Sequence, residues 1–145
     1  MYLLGTNIVS ELDPSRGITN APLAQWINDR ADTLFLSVIT ITEIEAGIAN
    51  LARRAGARRV KALTRWLDGI VEAYADRMLP VGPEVARLAG RLWDRAIAAG
   101  GKPELADVLI AASADHHRLT VLTRNLRHFQ SLGVAAVDPI ASLPD

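Results

Sequence analysis

At 145 residues, half of them hydrophobic and none of them cysteine, the chain is long enough to bury a core without disulfides or a structural metal, and one domain over residues 1–145 is expected. Sixteen Lys and Arg balance sixteen Asp and Glu, which excludes a strongly charged disordered chain and a globally basic nucleic-acid binder; any contact with RNA or DNA must come from a local patch. The lack of Cys excludes thiolate metal sites and leaves oxygen and imidazole as ligands, while the lack of a signal-like start or a long apolar run predicts a soluble cytoplasmic protein with no membrane contact.

The chain opens with the apolar run Met1-Tyr2-Leu3-Leu4, which stops at Gly5 and gives way to Thr6-Asn7-Ile8-Val9-Ser10-Glu11-Leu12. This pattern predicts a buried strand, Tyr2–Leu4, feeding a helix capped by a short polar side chain. Further strands are expected at Leu34–Ser37, Met78–Pro80, Thr120–Thr123 and Ala135–Val137. Between the first two, Ala21–Arg30 shows one apolar face through Leu23, Trp26 and Ile27. Ile39–Leu51 follows with Ile44, Ile48 and Leu51 on one stripe and is broken by Arg53-Arg54-Ala55-Gly56. These two helices should flank the sheet. Ala57–Tyr74 repeats apolar residues at three and four and exposes a basic side with Arg58, Arg59, Lys61 and Arg65. Pro83 introduces a helix at Glu84–Ala99, ended by Gly100-Gly101, and Pro103 introduces Glu104–His117, apolar nearly all round except at Asp107 and therefore central. A short helix, Leu126–Gln130, follows the fourth strand. Short apolar runs alternating with helical periodicity give an α/β domain with a mainly parallel sheet of four to five short strands flanked by helices.

Ligands of such sheets bind beyond the carboxyl ends of the parallel strands, and several polar residues fall there. Asp107 sits beside Val108-Leu109-Ile110, where a buried carboxylate must be paired, hydrogen-bonded or bound to a cation. The bland alternative is a first-turn acid stabilised by the helix N-terminus. Glu43 lies among apolar residues shortly after the second strand; Glu45, about 200° away on a helix, cannot share its face, and the apolar stripe leaves open which of the two points inward. Thr123-Arg124-Asn125 ends the fourth strand at the edge where Gly5-Thr6-Asn7 ends the first. Asn125 also suits a simple turn. His128 is read as a surface histidine of the short helix, with phosphate or metal binding as the alternative, and His116 and His117 as cations at a helix C-terminus.

Taken together, Leu3-Leu4-x-Thr6-Asn7-x-x-Ser10-Glu11, Ser37 through Glu43 with Gly47, Ala106-Asp107 with Ile110-Ala111-Ala112-Ser113-Ala114, and Val121-Leu122-Thr123-Arg124-Asn125 with Phe129 make the chain resemble the PIN-domain family along essentially its whole length. Within that family it is similar to the VapC-type ribonuclease toxins of bacterial toxin–antitoxin modules and their FitB-like relatives. The resemblance implies a PIN-like α/β/α sandwich and an Mg²⁺-dependent endoribonuclease, Mn²⁺ being an alternative ion. Its acids fall by position on Gly5, Glu43, Asp107 and Asn125, with Glu43 and Asp107 as metal ligands and Glu43, Asp107 and Asn125 as catalytic residues. Thr6, Asn7, Thr123 and Arg124 would support them, the threonines by orienting acids or water and Arg124 by meeting substrate phosphate or standing at the rim. Hard divalent ions favour such oxygen donors.

Gly5 departs from the pattern, because it carries no oxygen where the family carries Asp. The resemblance therefore implies a nuclease impaired or inactive in its present form, and a Gly5 protein more stable without metal than its Gly5→Asp counterpart. It further implies a cognate DNA-binding, VapB-like antitoxin, an RNA substrate, and a homodimer or larger toxin–antitoxin assembly. The basic side at Arg53, Arg54, Arg58, Arg59, Lys61 and Arg65 offers a route for RNA. A non-catalytic PIN module that keeps antitoxin and dimer binding is the alternative. A Rossmann-like small-molecule binder is disfavoured, since no glycine-rich phosphate loop follows the first strand.

Overall fold

The computed structural model describes residues 1–145 except Ile18 and Ala55; the Ala55 part of the expected break after the second long helix thus lies outside the described residues. The strands are β1 (Tyr2–Leu4), β2 (Leu34–Ser37), β3 (Met78–Leu79), β4 (Thr120–Leu122) and β5 (Ala136–Val137). The helices are α1 (Thr6–Ser10), α2 (Ala21–Asp29), α3 (Val38–Ala52), α4 (Ala57–Ala73), α5 (Pro83–Ala98), α6 (Leu105–His117) and α7 (Leu126–Ser131). All strand pairs are parallel, in the order β3-β2-β1-β4-β5.

The alternation of side chains along a strand divides the core between the two faces of this sheet. Leu3 and Val121 pack on one side with Val85, Ala89 and Leu92 of α5, Val108, Ala111 and Ala112 of α6, and Phe129 of α7. Leu4, Leu34, Leu36 and Leu122 pack on the other with Ile8, Leu23, Trp26, Ile44, Ile48, Leu63 and Leu67 from α1 to α4. The result is the expected α/β/α sandwich. The helix carrying Asp107 is central: Val108, Ala111, Ala112 and Ala114 are fully buried, and small side chains let α6 lie close to its neighbours.

The ends of the elements differ from the sequence expectation in ways that matter for the site. Pro80 lies outside β3, consistent with a residue that cannot donate to a ladder. Thr123 lies outside β4, although its N–H still reaches the Val137 carbonyl at 2.9 Å. Helix α1 is not capped by a polar side chain. Gly5 is the N-cap, with no side-chain cap bond, and its carbonyl accepts from the N–H groups of Ile8 and Val9; Thr6 is already helical. No helix is long and apolar enough to cross a membrane among the described residues.

The C-terminus of α6 is closed by Arg118 in the left-handed region (φ 56°) and by the Leu119 N–H on the Ala114 carbonyl at 2.8 Å. The two histidines before it stand in the last turn of the helix, where the sequence predicts them. His116 lies 3.6 Å from Glu84 of α5, and desolvation, followed by the neighbouring His116, lowers the pKa of His117 below its ordinary 6.5. The unfolded chain therefore takes up this proton at a higher pH than the folded one, so stability is fully present above about pH 6.5 and falls as pH drops through it towards the folded value. His117→Gln should flatten that part of the pH–stability curve in urea denaturation between pH 5 and 7; an unchanged slope would contradict the assignment.

Candidate active site

The parallel register pairs Leu4 with Leu122, so the chain leaves β1 and β4 side by side, at Gly5 and at Thr123. The rung joining them is the Gly5 N–H on the Leu122 carbonyl, 2.8 Å. Beyond it the two loops are tied across. The Asn7 amide lies 3.2 Å from the Thr123 hydroxyl, the Arg124 N–H reaches Asn7 Oδ1 at 3.3 Å, and the Thr123 hydroxyl accepts from the Asn125 N–H at 3.0 Å. Thr123, 1% exposed, therefore braces two loops rather than orienting an acid.

These loops, α3 and the first turn of α6 enclose a cleft of about 460 Å³ at the carboxyl ends of the strands. Gly5, Thr6, Asn7, Glu43, Asp107, Thr123, Arg124 and Asn125 all line it. Helix α3 begins with Val38 and buries Thr40, Ile44 and Ile48, which leaves Glu43 half-buried at the cleft and Glu45 exposed elsewhere, settling the choice that periodicity leaves open. The Thr6 hydroxyl donates to Glu43 Oε1 at 2.6 Å, so Thr6 holds Glu43 as the sequence reading expects. Asn125 precedes α7, makes no side-chain cap bond and faces the cleft.

Two features depart from expectation. His128 is half-exposed, yet its Nδ1 lies 2.7 Å from Asp107 Oδ2; the histidine read as a bland surface residue is the partner of the central carboxylate. It follows Asn125 by three residues, the helical spacing that brings it to the same side of α7. Arg124 is not free for substrate. Its guanidinium donates to Glu11 Oε1 at 3.0 Å, an acid whose pairing no sequence signal marks. The bond joins the loop after β4 to the end of α1, and because Arg124 is largely exposed its worth is modest.

A second hollow of about 430 Å³ continues from the cleft. It shares Thr6, Ser10, Arg16 and Glu43 with it and is floored by Ile44, Gly47, Ile48, Leu51, Leu63 and Trp66, with Arg54 and Arg59 on its margin. Of the basic α4 side, therefore, Arg59 borders this hollow, while Arg58, Lys61 and Arg65 do not.

The PIN domain profile matches residues 2–134. This chain belongs to the PIN domain family. It is 33% identical to Toxin FitB of Neisseria gonorrhoeae over 96% of this chain and 98% of that protein. It is 34% identical to VapC ribonuclease Y4jK of Sinorhizobium fredii, over 96% and 97%, and 34% identical to plasmid stability protein StbB of Pseudomonas syringae pv. tomato, over 96% and 98%. Among solved structures, the FitAcB crystal structure from Neisseria gonorrhoeae superposes with a TM-score of 0.84 at 32% identity, over 97% of this chain and 99% of that one. VapBC2 from Rickettsia felis, bound to a promoter DNA fragment, superposes at 0.75 with 18% identity over 94% and 96% and supports the fold alone.

Position 5, where the sequence resemblance expects an acid, is closed to a side chain in this PIN domain. Gly5 has φ −70° and ψ 153°, a conformation open to any residue, but a Cβ there would sit 2.7 Å from the Leu122 carbonyl oxygen and 3.4 Å from Thr123 Cβ. A backbone oxygen cannot swing aside as a side chain can. The remaining donors do not fit a tightly held divalent ion. Among the described residues no three His, Asp or Glu side chains come together as a cation site, Glu43 is engaged by Thr6, and Asp107 by His128.

A side chain at position 5 must force β1 and β4 apart, at a cost of about 1–3 kcal/mol for overpacking, partly offset by the roughly 0.4–1 kcal/mol gained on replacing glycine at a compatible φ. Gly5→Ala should thus lower the thermal midpoint. Gly5→Asp, measured without metal, should lower it further by adding a charge beside Glu43 and Asp107. A midpoint for either variant at or above that of the unchanged protein would contradict the crowding.

Proposed function

We propose that this protein is the toxin of a type II toxin–antitoxin pair, built as a PIN-type endoribonuclease and impaired in cleavage by Gly5. The observation that carries the proposal is the convergence of Glu43 from α3 and Asp107 from α6 on one cleft at the ends of β1 and β4, in a chain that matches named toxins from end to end.

Hydrolysis of a phosphodiester needs a water aligned with the scissile bond and compensation of the charge that gathers on the leaving oxygen. Glu43, steadied through Oε1 by Thr6, retains its other oxygen to accept a proton from such a water. Asp107 is held by His128 on the opposing wall, and Asn125 offers a neutral amide to phosphate oxygen. Mg²⁺ would supply, when bound, the positive charge that this set lacks. With no acid at residue 5 the present residues do not hold it, and no step is assigned to it.

The apolar hollow beside the cleft suits a segment of the cognate antitoxin. A peptide lying over Ile48, Leu51 and Trp66 and ending in a cation at Glu43 would match its floor and its acidic end. A VapB-like DNA-binding antitoxin, an RNA substrate, self-association into a homodimer or larger assembly and a cytoplasmic location belong to the same proposal, as do a single PIN domain over residues 1–145, the support of Glu43 by Thr6 and the bracing of the cleft loops by Asn7, Thr123 and Arg124.

A second reading, a PIN module that retains its partners without cleaving, is favoured by one observation: β1 and β4 close where an acid would stand. The two readings separate in an RNA cleavage assay with Mg²⁺. Under the first, Gly5→Asp gains cleavage over the unchanged protein by roughly a hundredfold, the scale of a restored catalytic alignment, and Gly5→Asp combined with Asp107→Asn or Glu43→Gln loses it. If Gly5→Asp folds, binds the antitoxin and cleaves no RNA, the non-catalytic module stands instead.

A further inference from the structure

We propose that RNA reaches the cleft over α7, on a phosphate-binding track made by Lys102 and Arg127, and not over the basic side of α4. This rests on the RNA-directed reading above and names the surface that would hold the strand. Residues 118–137 contain three arginines and no acid, and they fold as the C-cap of α6, β4, α7, β5 and the turns between them. Arg127 borders two hollows that flank the cleft. One, about 260 Å³, is bounded by Lys102, Glu104, Asp107, Arg127, His128 and Ser131. The other, about 450 Å³, lies between Arg124, Arg127 and Gln130. His128 borders both hollows and the cleft itself, so a phosphate at Arg127 is a near neighbour of one at Asp107.

The state of the cations on the α7 side leaves Lys102 and Arg127 available. Arg124 is bonded to Glu11 and His128 to Asp107, whereas neither Lys102 nor Arg127 forms an ion pair among the described residues. Both are exposed. Of the two acids that share their hollow, Asp107 is turned to His128, and Glu104 is solvated at the N-cap of α6. An Arg fork and a Lys ammonium left unpaired beside a cleft are suited to successive phosphates of a single strand. On the α4 side, Arg58, Lys61 and Arg65 border neither hollow nor cleft; Arg59, with Arg54 before the helix, does border the hollow beside the cleft, but a strand held there would lie across the apolar floor at Leu51, Leu63 and Trp66 before meeting Glu43.

The test is binding of a short fluorescein-labelled single-stranded RNA to the full chain in EDTA, read by anisotropy over a series of salt concentrations. Lys102→Ala with Arg127→Ala should weaken binding about tenfold and reduce the salt slope by about 1.4, the loss of two phosphate contacts on a single strand. Arg58→Ala with Arg59→Ala, which removes the α4 arginine bordering the apolar hollow, should leave both unchanged, and Arg127→Lys with Lys102 kept should retain most of the slope. Thermal melts of each pair check that the fold is retained. If the α4 pair weakens binding and the Lys102/Arg127 pair does not, the track is overturned and the RNA reading survives. If the unchanged protein binds no RNA at any salt concentration, both fall.

Discussion

The hydrogen bond from the Gly5 N–H to the Leu122 carbonyl, 2.8 Å, is the constraint on which the rest of this structure turns. It is the last rung between the two central strands, and it lies where both halves of the core meet the cleft. Because Leu4 and Leu122 are paired in register and buried on the same face, Gly5 and Thr123 emerge together. Asn7, Thr123, Arg124 and Asn125 can then tie their loops across the gap. The same closeness leaves no room for a Cβ at residue 5. One backbone contact thus assembles the site and removes from it the oxygen that the rest of the family pattern anticipates.

The consequence is electrostatic. Glu11, Glu43, Glu104 and Asp107 all line one cleft, an arrangement that costs free energy unless the negative charge is answered. In this protein the answer is mainly internal: Thr6 donates to Glu43, Arg124 to Glu11, and His128 lies against Asp107. Each partner comes from a different stretch of the chain, and each fixes the carboxylate it meets. A cleft settled in this way keeps its shape without a cation, and a further acid in its midst would have no partner waiting for it.

Much of the scaffold is legible in the sequence because its signals are local. Tyr2–Leu4 and Leu34–Ser37 are short apolar runs bounded by breakers, and Asp107 stands out as the one charge in an otherwise apolar central helix. The remainder depends on packing. Whether Glu43 or Glu45 turns inward depends on α3 starting at Val38, which the apolar stripe alone does not reveal. The cap of α1 falls on Gly5, which has no side chain to cap with, and Thr6, already inside the helix, donates its hydroxyl to Glu43, 37 residues away. His128 meets Asp107 only because α7 packs against α6, and Arg124 meets Glu11 across 113 residues. Neither pairing leaves a trace in periodicity or composition. The tightness at residue 5 is likewise invisible in sequence, which shows a missing oxygen but not the carbonyl that stands in its place.

The proposed loss of divalent-ion binding follows from Glu43 and Asp107 sharing a cleft without an acid beside them at residue 5. Titration of the unchanged protein with Mn²⁺, followed by electron paramagnetic resonance, tests it most directly. The account predicts no saturable site on the unchanged chain, and a single saturable site on Gly5→Asp that Asp107→Asn abolishes. Saturable one-to-one binding by the unchanged chain, lost on Glu43→Gln, would contradict it.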